Sequence, residues 1–483
     1  MYHEFPERFR QIFLGGESEQ ELANFWIEVG ERRDPRLKFH PMARMANWRK
    51  RVVPLSLHGD AVPCVAVGKA GAKSFDVLSF QGILGRGSTK ELKLYIFGLF
   101  ELSKTAAGLD RLWKELNWSL EHLLAGVWPT SDADGNDFPV GSLDASRAGS
   151  QLAGGYCGVV WALKADLDHL TKAWRLRHYS SNQPCEFCRS SRDEHGPLRY
   201  NNFRTDAAWK TSLITCEEWR AENPRPHPMF GFPYMSNQNI EVDELHVMHL
   251  GTSMYMFGSI LYTLVFDILT DNPAENMTLV WKELNIAYQE LGSACTYTNL
   301  TIASFCDADR PHAAYPKLKG KGAEVKDLAE PLLKVWTKLR RPGHKEDNIV
   351  LQMLQHQCAI QKILTINSLA NLLTEADSQD LCVHIDGVLM AYTVLANTAD
   401  REGYLRWNIT PKFHMLWHLG ERSKNLNPRR GNTMMDEGFV GVVKKVVQSC
   451  VNGTESHKLP NRVLLNYRWG LHFLAVYGDE FKD

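Results

Sequence analysis

Between Met434 and Lys445 the chain places two acids, Asp436 and Glu437, at the head of a segment whose apolar residues recur at helical spacing. Phe439, Val443, Val446 and Cys450 form one stripe, while Glu437, Gly441, Lys444 and Gln448 lie on the other side. A carboxylate held on a packed helix, with a lysine two turns on, suits divalent-metal chemistry on a phosphate chain. Such a site needs further carboxylates, and the chain offers them at Asp60 and Asp166.

The setting of those two aspartates follows from the pattern around them. Residues 7–33 read as helical. Arg51 to Val62 then alternates, with Val53, Leu55 and Leu57 on one face and Ser56, His58 and Asp60 on the other, which predicts a strand ending at Asp60. Further strand-like runs lie near Cys64–Val67, Ser74–Leu84 and Leu92–Phe97. Leu109 to Ala125 is strongly amphipathic, and Gly155 to Leu163 reads as a buried strand leading into Asp166. Taken alone, Asp60 reads better as a strand-end turn cap, and Asp166 reads as a helix N-cap. From about residue 250 to 405 helical periodicity dominates, at 251–270, 278–292, 326–340, 346–373 and 378–398. The expected division is a helical segment over 1–50, an α/β core over 51–250, an all-α insertion over 251–405, and the rest of the core over 406–483.

Composition bounds the function. A formal net charge of −1 gives no global field to attract nucleic acid, so such contacts must come from local basic patches. The N-terminus lacks the pattern of a secretion signal. The most apolar run, Met254 to Leu269, is short for a membrane span and carries Asp267. Ten cysteines, mostly isolated in apolar surroundings, fit a reducing compartment. The expectation is a soluble intracellular protein, nuclear or cytoplasmic, with no membrane and no small-molecule substrate.

Cys185-Glu186-Phe187-Cys188 is a Cys-x-x-Cys knuckle. With His246 and His249 downstream it makes a Cys₂His₂ set that suits a closed, structural zinc site. His246 and the neighbouring Asp243 also suit non-metal roles at an active site. His414 and His418 stand one helical turn apart, which reads as core packing or as an approach to the metal site or a DNA backbone. Arg429 and Arg430 form a compact basic patch suited to phosphates, as does the cluster Arg44, Arg49, Lys50 and Arg51.

These motifs resemble those of eukaryotic cut-and-paste DNA transposases of the DD(E/D) type. Asp436-Glu437-Gly438-Phe439-Val440-Gly441-Val442-Val443-Lys444-Lys445 is similar to the acidic helix of CACTA-type transposases, in which a Glu is followed by an aromatic, an apolar residue, a Gly and a Lys. Pro411-Lys412-Phe413-His414 through His418 resembles the stretch upstream of that helix. Cys185–Cys188 followed by Asp243-Glu244-Leu245-His246 looks like the Cys and Asp-x-x-His signature after the second Asp. A helical insertion before the last Glu is shared with hAT-type relatives. The resemblance implies a ribonuclease-H-like α/β core interrupted by a large all-α insertion, with DNA cleavage and strand transfer as the activity. It implies Asp60, Asp166 and Glu437 as catalytic ligands of two Mg²⁺ or Mn²⁺ ions, with Asp436, Asp168 and Asp137 as substitutes. It implies DNA contacts from Arg429, Arg430, Lys444, His414 and His418, and a homo-oligomer. No zinc finger or helix-turn-helix pattern precedes the core, which admits a shortened or domesticated copy, catalytically silent and kept for DNA or protein binding.

Overall fold

The computed structural model describes residues 2–16, 18–66, 72–100, 105–222 and 227–477. The first long helix, α1 (Gln20–Glu31), buries Leu22, Phe25, Trp26 and Val29 along one face. The single helix expected over 7–33 is broken before it, at Gly15, whose φ of 75° is left-handed.

Three strands follow, β1 (Val52–Ala66), β2 (Ala72–Gly82) and β3 (Leu94–Phe100), paired as antiparallel neighbours. The amphipathic helix α2 (Ala106–Ala125) then crosses to β4 (Cys157–Lys164), which pairs in parallel with β1. The sheet is therefore mixed and four-stranded, in the order β3-β2-β1-β4. Every residue of β4 is buried, which explains its continuous apolar run. The short helix α3 (Leu167–Lys172) follows β4 directly.

β1 does not stop at Asp60. It runs on to Ala66, with Asp60 opposite Val77 of β2. The run expected near Cys64–Val67 is the end of this same strand, apart from Val67, which lies outside the described residues. The parallel pairing with β4 does stop near Asp60, since its last register pair is His58 with Lys164.

The longer helices that follow are α4 (Ser253–Thr263), α5 (Pro273–Leu291), α6 (Ala329–Leu339), α7 (Lys345–Ile366), α8 (Glu375–Arg401), α9 (Pro411–Arg422), α10 (Met434–Val451) and α11 (Leu459–Tyr477). The described residues are mostly helical, with one small mixed sheet.

The chain divides into two units, one of Met1–Leu176, Thr215–Glu241 and Thr433–Asp483, the other of Arg177–Ile214 and Val242–Asn432. These boundaries differ from the expected ones at 50, 250 and 405. Residues 177–214 and α9 belong with the helical unit because the cysteines of the former meet the histidines of the latter. In the helical unit, α8 is long and apolar enough to cross a membrane by length and composition alone. Leu381, Ile385, Val388, Tyr392 and Leu395 nevertheless form a buried face at helical spacing, as in the core helix of a globular unit.

In the sheet-bearing unit, α10 and α11 cover one sheet face. Phe439, Val440, Val443, Val447 and Cys450 of α10 and Val463 of α11 pack on Val62, Phe75, Val77, Tyr95 and Phe100. The other face receives α2, whose Leu116 and Leu120 are buried. Phe439 is 1% exposed, so Phe439→Ala is expected to lower stability by about 3–5 kcal/mol in urea unfolding.

Candidate functional site

Within the sheet-bearing unit, two strands and a helix bring charged side chains together. Alternation along β1 puts His58, Asp60 and Val62 on the face covered by α10. Lys164 closes β4 opposite His58. Lys93 immediately precedes β3, and Asp436 lies in the first turn of α10. One Asp436 oxygen, Oδ2, accepts from Lys164 Nζ at 2.8 Å, and Oδ1 accepts from Lys93 Nζ. His58 Nδ1 stands 3.7 Å from Oδ1. All four side chains are at most 3% exposed.

Burial alone would raise the Asp436 carboxyl, but Lys164, Lys93 and His58 outweigh it and hold it below the usual carboxylate range. Its position in the first turn of α10 adds the favourable end of the helix dipole. His58 is pushed down to about 3, chiefly by burial and further by Lys93, Lys164 and His169 against the pull of Asp436, so it is neutral at physiological pH. Lys93 is pushed down to about 7, by burial first, with Asp436 opposing and Lys164 reinforcing.

The three expected catalytic carboxylates each follow a member of this network along the chain. Asp60 comes two residues after His58, Asp166 two after Lys164, and Glu437 one after Asp436. Asp60 is half-buried and accepts from the Ala61 amide at 2.7 Å. Asp166 is half-buried and caps α3 by accepting from the His169 amide at 2.6 Å. Glu437 is exposed. Among the described residues these three are not gathered into one group of ligand atoms. Of the substitutes, Asp436 is engaged by the lysines, Asp168 forms an exposed pair with Lys172 at 2.8 Å, and Asp137 is exposed in a bridge to Ser131. Gly59 permits a close approach, but by the His169 and Trp174 side chains.

The helical unit holds a different centre. Cys185, Cys188, His414 and His418 are all buried, with their ligand atoms within 4.8 Å of one another. Cys185 Sγ is 3.3 Å from His418 Nε2, Cys188 Sγ is 3.3 Å from His414 Nε2, and the two Nε2 atoms are 3.2 Å apart. A tetrahedral ion with Zn–N of about 2.0–2.1 Å and Zn–S of about 2.3 Å sets N···N at about 3.3 Å and N···S at about 3.5 Å. The cluster is thus of a size that could hold zinc. His414 Nδ1 meets the Tyr200 carbonyl at 3.0 Å, which directs Nε2 toward the thiols. The Phe187 amide donates to Cys185 Sγ at 3.3 Å, closing the knuckle.

The histidines expected as zinc ligands are therefore replaced. His246 Nδ1 meets Asp243 Oδ2 at 2.5 Å, and buried His249 Nε2 meets Glu244 Oε1 at 3.1 Å. They lie on a π-helical turn, Leu245–Thr252, whose wider winding keeps residues three apart from sharing a face.

The expected DNA contacts change in the same way. His414 and His418 are 2% and 0% exposed and belong to the Cys/His cluster. Arg429 pairs with buried Glu244 at 2.8 Å and donates to the Leu364 carbonyl, while Arg430 donates to the carbonyls of Ala370 and Leu369. Both arginines tie the loop to the end of α7 instead of forming an open phosphate patch. Lys444 is half-buried on α10.

Sequence reasoning missed His58, Lys93 and Lys164 and did not see that Asp436 is the buried acid. A signal existed, because Asp436 lies three residues before Phe439 and seven before Val443, on the apolar stripe itself. No protein-family model matches the chain, and no curated protein is significantly similar to it.

Two outcomes follow from the network. Asp436→Asn leaves buried Lys164 and Lys93 without their carboxylate and is expected to cost about 3–5 kcal/mol in denaturant unfolding. Lys93 has its folded value lowered from 10.5 to about 7, so between those values the unfolded chain holds a proton that the folded chain has lost. Stability attributable to Lys93 therefore rises with pH through that window and is fully depressed below it. Wild type should gain on the order of 2 kcal/mol relative to Lys93→Met between about pH 7 and pH 9, measured as paired unfolding curves.

Proposed function

We propose that the chain is a transposase-type enzyme that cuts DNA phosphodiesters and joins strands, on a ribonuclease-H-like core. The observation that carries this reading is the buried network. It ties the start of α10 to β1 and β4 at one register level, so the acids that follow along each element, Asp60, Asp166 and Glu437, leave from the same region. The sheet order with its parallel β1–β4 pair supports the same reading.

The donor set fits hard divalent cations in its chemistry, being three carboxylates. Mg²⁺ or Mn²⁺ held there would activate a water or 3′-hydroxyl and stabilise charge on the leaving oxygen. The protein's own part is to present the acids. Asp166 is oriented by its cap bond to α3, and Asp60 by its bond to the Ala61 amide. Glu437 extends from the first turn of α10.

A second reading, a transposase-derived protein that binds DNA or protein without cutting, is favoured by one observation. The side chains that do converge carry two lysines and a single carboxylate, while the three expected acids are not gathered among the described residues. Calorimetric titration with Mn²⁺ separates the two. The enzyme reading expects binding by wild type that Glu437→Gln abolishes; equal, negligible heats from both would leave the silent protein.

In either case we assign a structural zinc to Cys185, Cys188, His414 and His418, holding α9 against residues 177–214 within the helical unit. Elemental analysis of purified protein should find about one zinc per chain. His414→Ala should lose it and melt at a lower temperature, whereas His246→Ala and His249→Ala should keep it. Zinc retained in His414→Ala would contradict the assignment.

A further inference from the structure

The last long helix, α11, buries only Leu459 and Val463 near its start. Beyond them Leu465, Trp469, Phe473, Val476 and Tyr477 are all exposed. Their spacing, three or four residues along most of the row, sets them on one ridge of the helix. Single exposed apolar residues are normal on a protein surface, whereas a contiguous row marks an interaction site.

Three observations indicate what this ridge fits. The first is its aromatic order. Trp469, Phe473 and Tyr477 are 57%, 54% and 42% exposed and succeed one another at intervals of one helical turn. Their ring centroids are 6.4 and 5.9 Å apart, at interplanar angles of 36° and 31°. The second is charge. α11 carries Arg462, Arg468 and His472 and no acid; the nearest acids along the chain are Glu455 before it and Asp479 after it. Arg468 and His472 are exposed, and each directly precedes a ring of the ladder. The third is place. Tyr467, half-buried, packs on Phe439 of α10, and its hydroxyl donates to the Lys93 carbonyl at 3.2 Å. The ladder therefore begins beside the element that carries Asp436 and Glu437.

Unpaired bases match such a ridge. Each has a flat face to stack on a ring, and each nucleotide brings a phosphate to a neighbouring cation. Stacking of this kind takes any base, because every base has a π-face. In a duplex those faces are already covered by the neighbouring base pairs.

We infer that Trp469, Phe473 and Tyr477 form a stacking platform for single-stranded DNA, with Arg468 pairing with its phosphates and His472 donating to them. The platform is separate from the three acids and needs no metal, so it does not depend on the enzyme reading.

The test is fluorescence anisotropy of the full chain with a short labelled oligothymidylate, without added divalent metal, beside a duplex of the same length. Wild type should bind the single strand several-fold more tightly than the duplex. Trp469→Ala and Phe473→Ala, both at exposed positions, should each weaken that binding about tenfold, and Trp469→Phe should keep most of it. Arg468→Gln should reduce the slope of log affinity against log salt by about 0.7. Circular dichroism and a cooperative melt establish that each variant is folded.

No binding of the single strand by wild type overturns the inference. So does single-strand affinity that the duplex matches, or that the Trp469→Ala, Phe473→Ala double variant retains. Sedimentation and flotation with phosphatidylserine vesicles use the same proteins. Self-association or vesicle binding that the double variant loses, without oligonucleotide binding by wild type, overturns it in favour of a second copy or a membrane surface. Single-strand binding by a wild type that binds no Mn²⁺ removes the enzyme reading and supports the platform.

Discussion

The sheet-bearing unit turns on one contact, a carboxylate at the head of α10 held between two buried lysines. Asp436 receives Lys164 from the end of β4 and Lys93 from the start of β3, with His58 of β1 alongside. Lys164 at the end of β4 and Lys93 just before β3 therefore meet the helix through charge, near its first turn. Beyond that turn the helix is held by apolar packing of Phe439, Val443 and Val447 on the sheet. Packing of this kind is non-directional and gives adhesion.

The helical unit solves a related problem by different means. Residues 177–214 contain no named strand and only one short 3₁₀ turn among the described residues, so they have little backbone structure to fix them. The Cys185–Cys188 knuckle on this segment meets His414 and His418, which are one turn apart on α9 and so face the same way. A second buried network follows soon after in the chain, where Glu244 takes His249, Arg429 and Asn432. Burial would raise the Glu244 carboxyl, but these partners hold it low. The basic loop at 427–432 is thereby part of the fold of this unit.

Much of the architecture was legible in the sequence because it rests on periodicity. β4 reads as a continuous apolar run, α2 as an amphipathic helix, and α5 to α8 as successive helical patterns. What periodicity does not encode is which distant polar groups meet. The knuckle was visible, yet two histidine pairs were available to complete it. The i, i+3 pair His246 and His249 lies on a π-helical turn that periodicity does not reveal, and the i, i+4 pair His414 and His418 completes the knuckle instead. The two adjacent acids of α10 posed the same difficulty. Glu437 fits the polar side and Asp436 the apolar stripe, but a buried acid makes sense only once Lys93 and Lys164 are known to meet it. Those lysines are remote in the chain, and nothing local marks them as buried.

Asp436 faces inward on its lysines, and we propose that Mn²⁺ would draw Glu437, Asp60 and Asp166 together as its ligands. Anomalous diffraction from crystals grown with Mn²⁺ tests it directly. The account predicts manganese density contacted by Asp60, Asp166 and Glu437, with Asp436 still bonded to Lys93 and Lys164. Density at Asp436, or none near any of the three acids in crystals that leave this surface open, would contradict it.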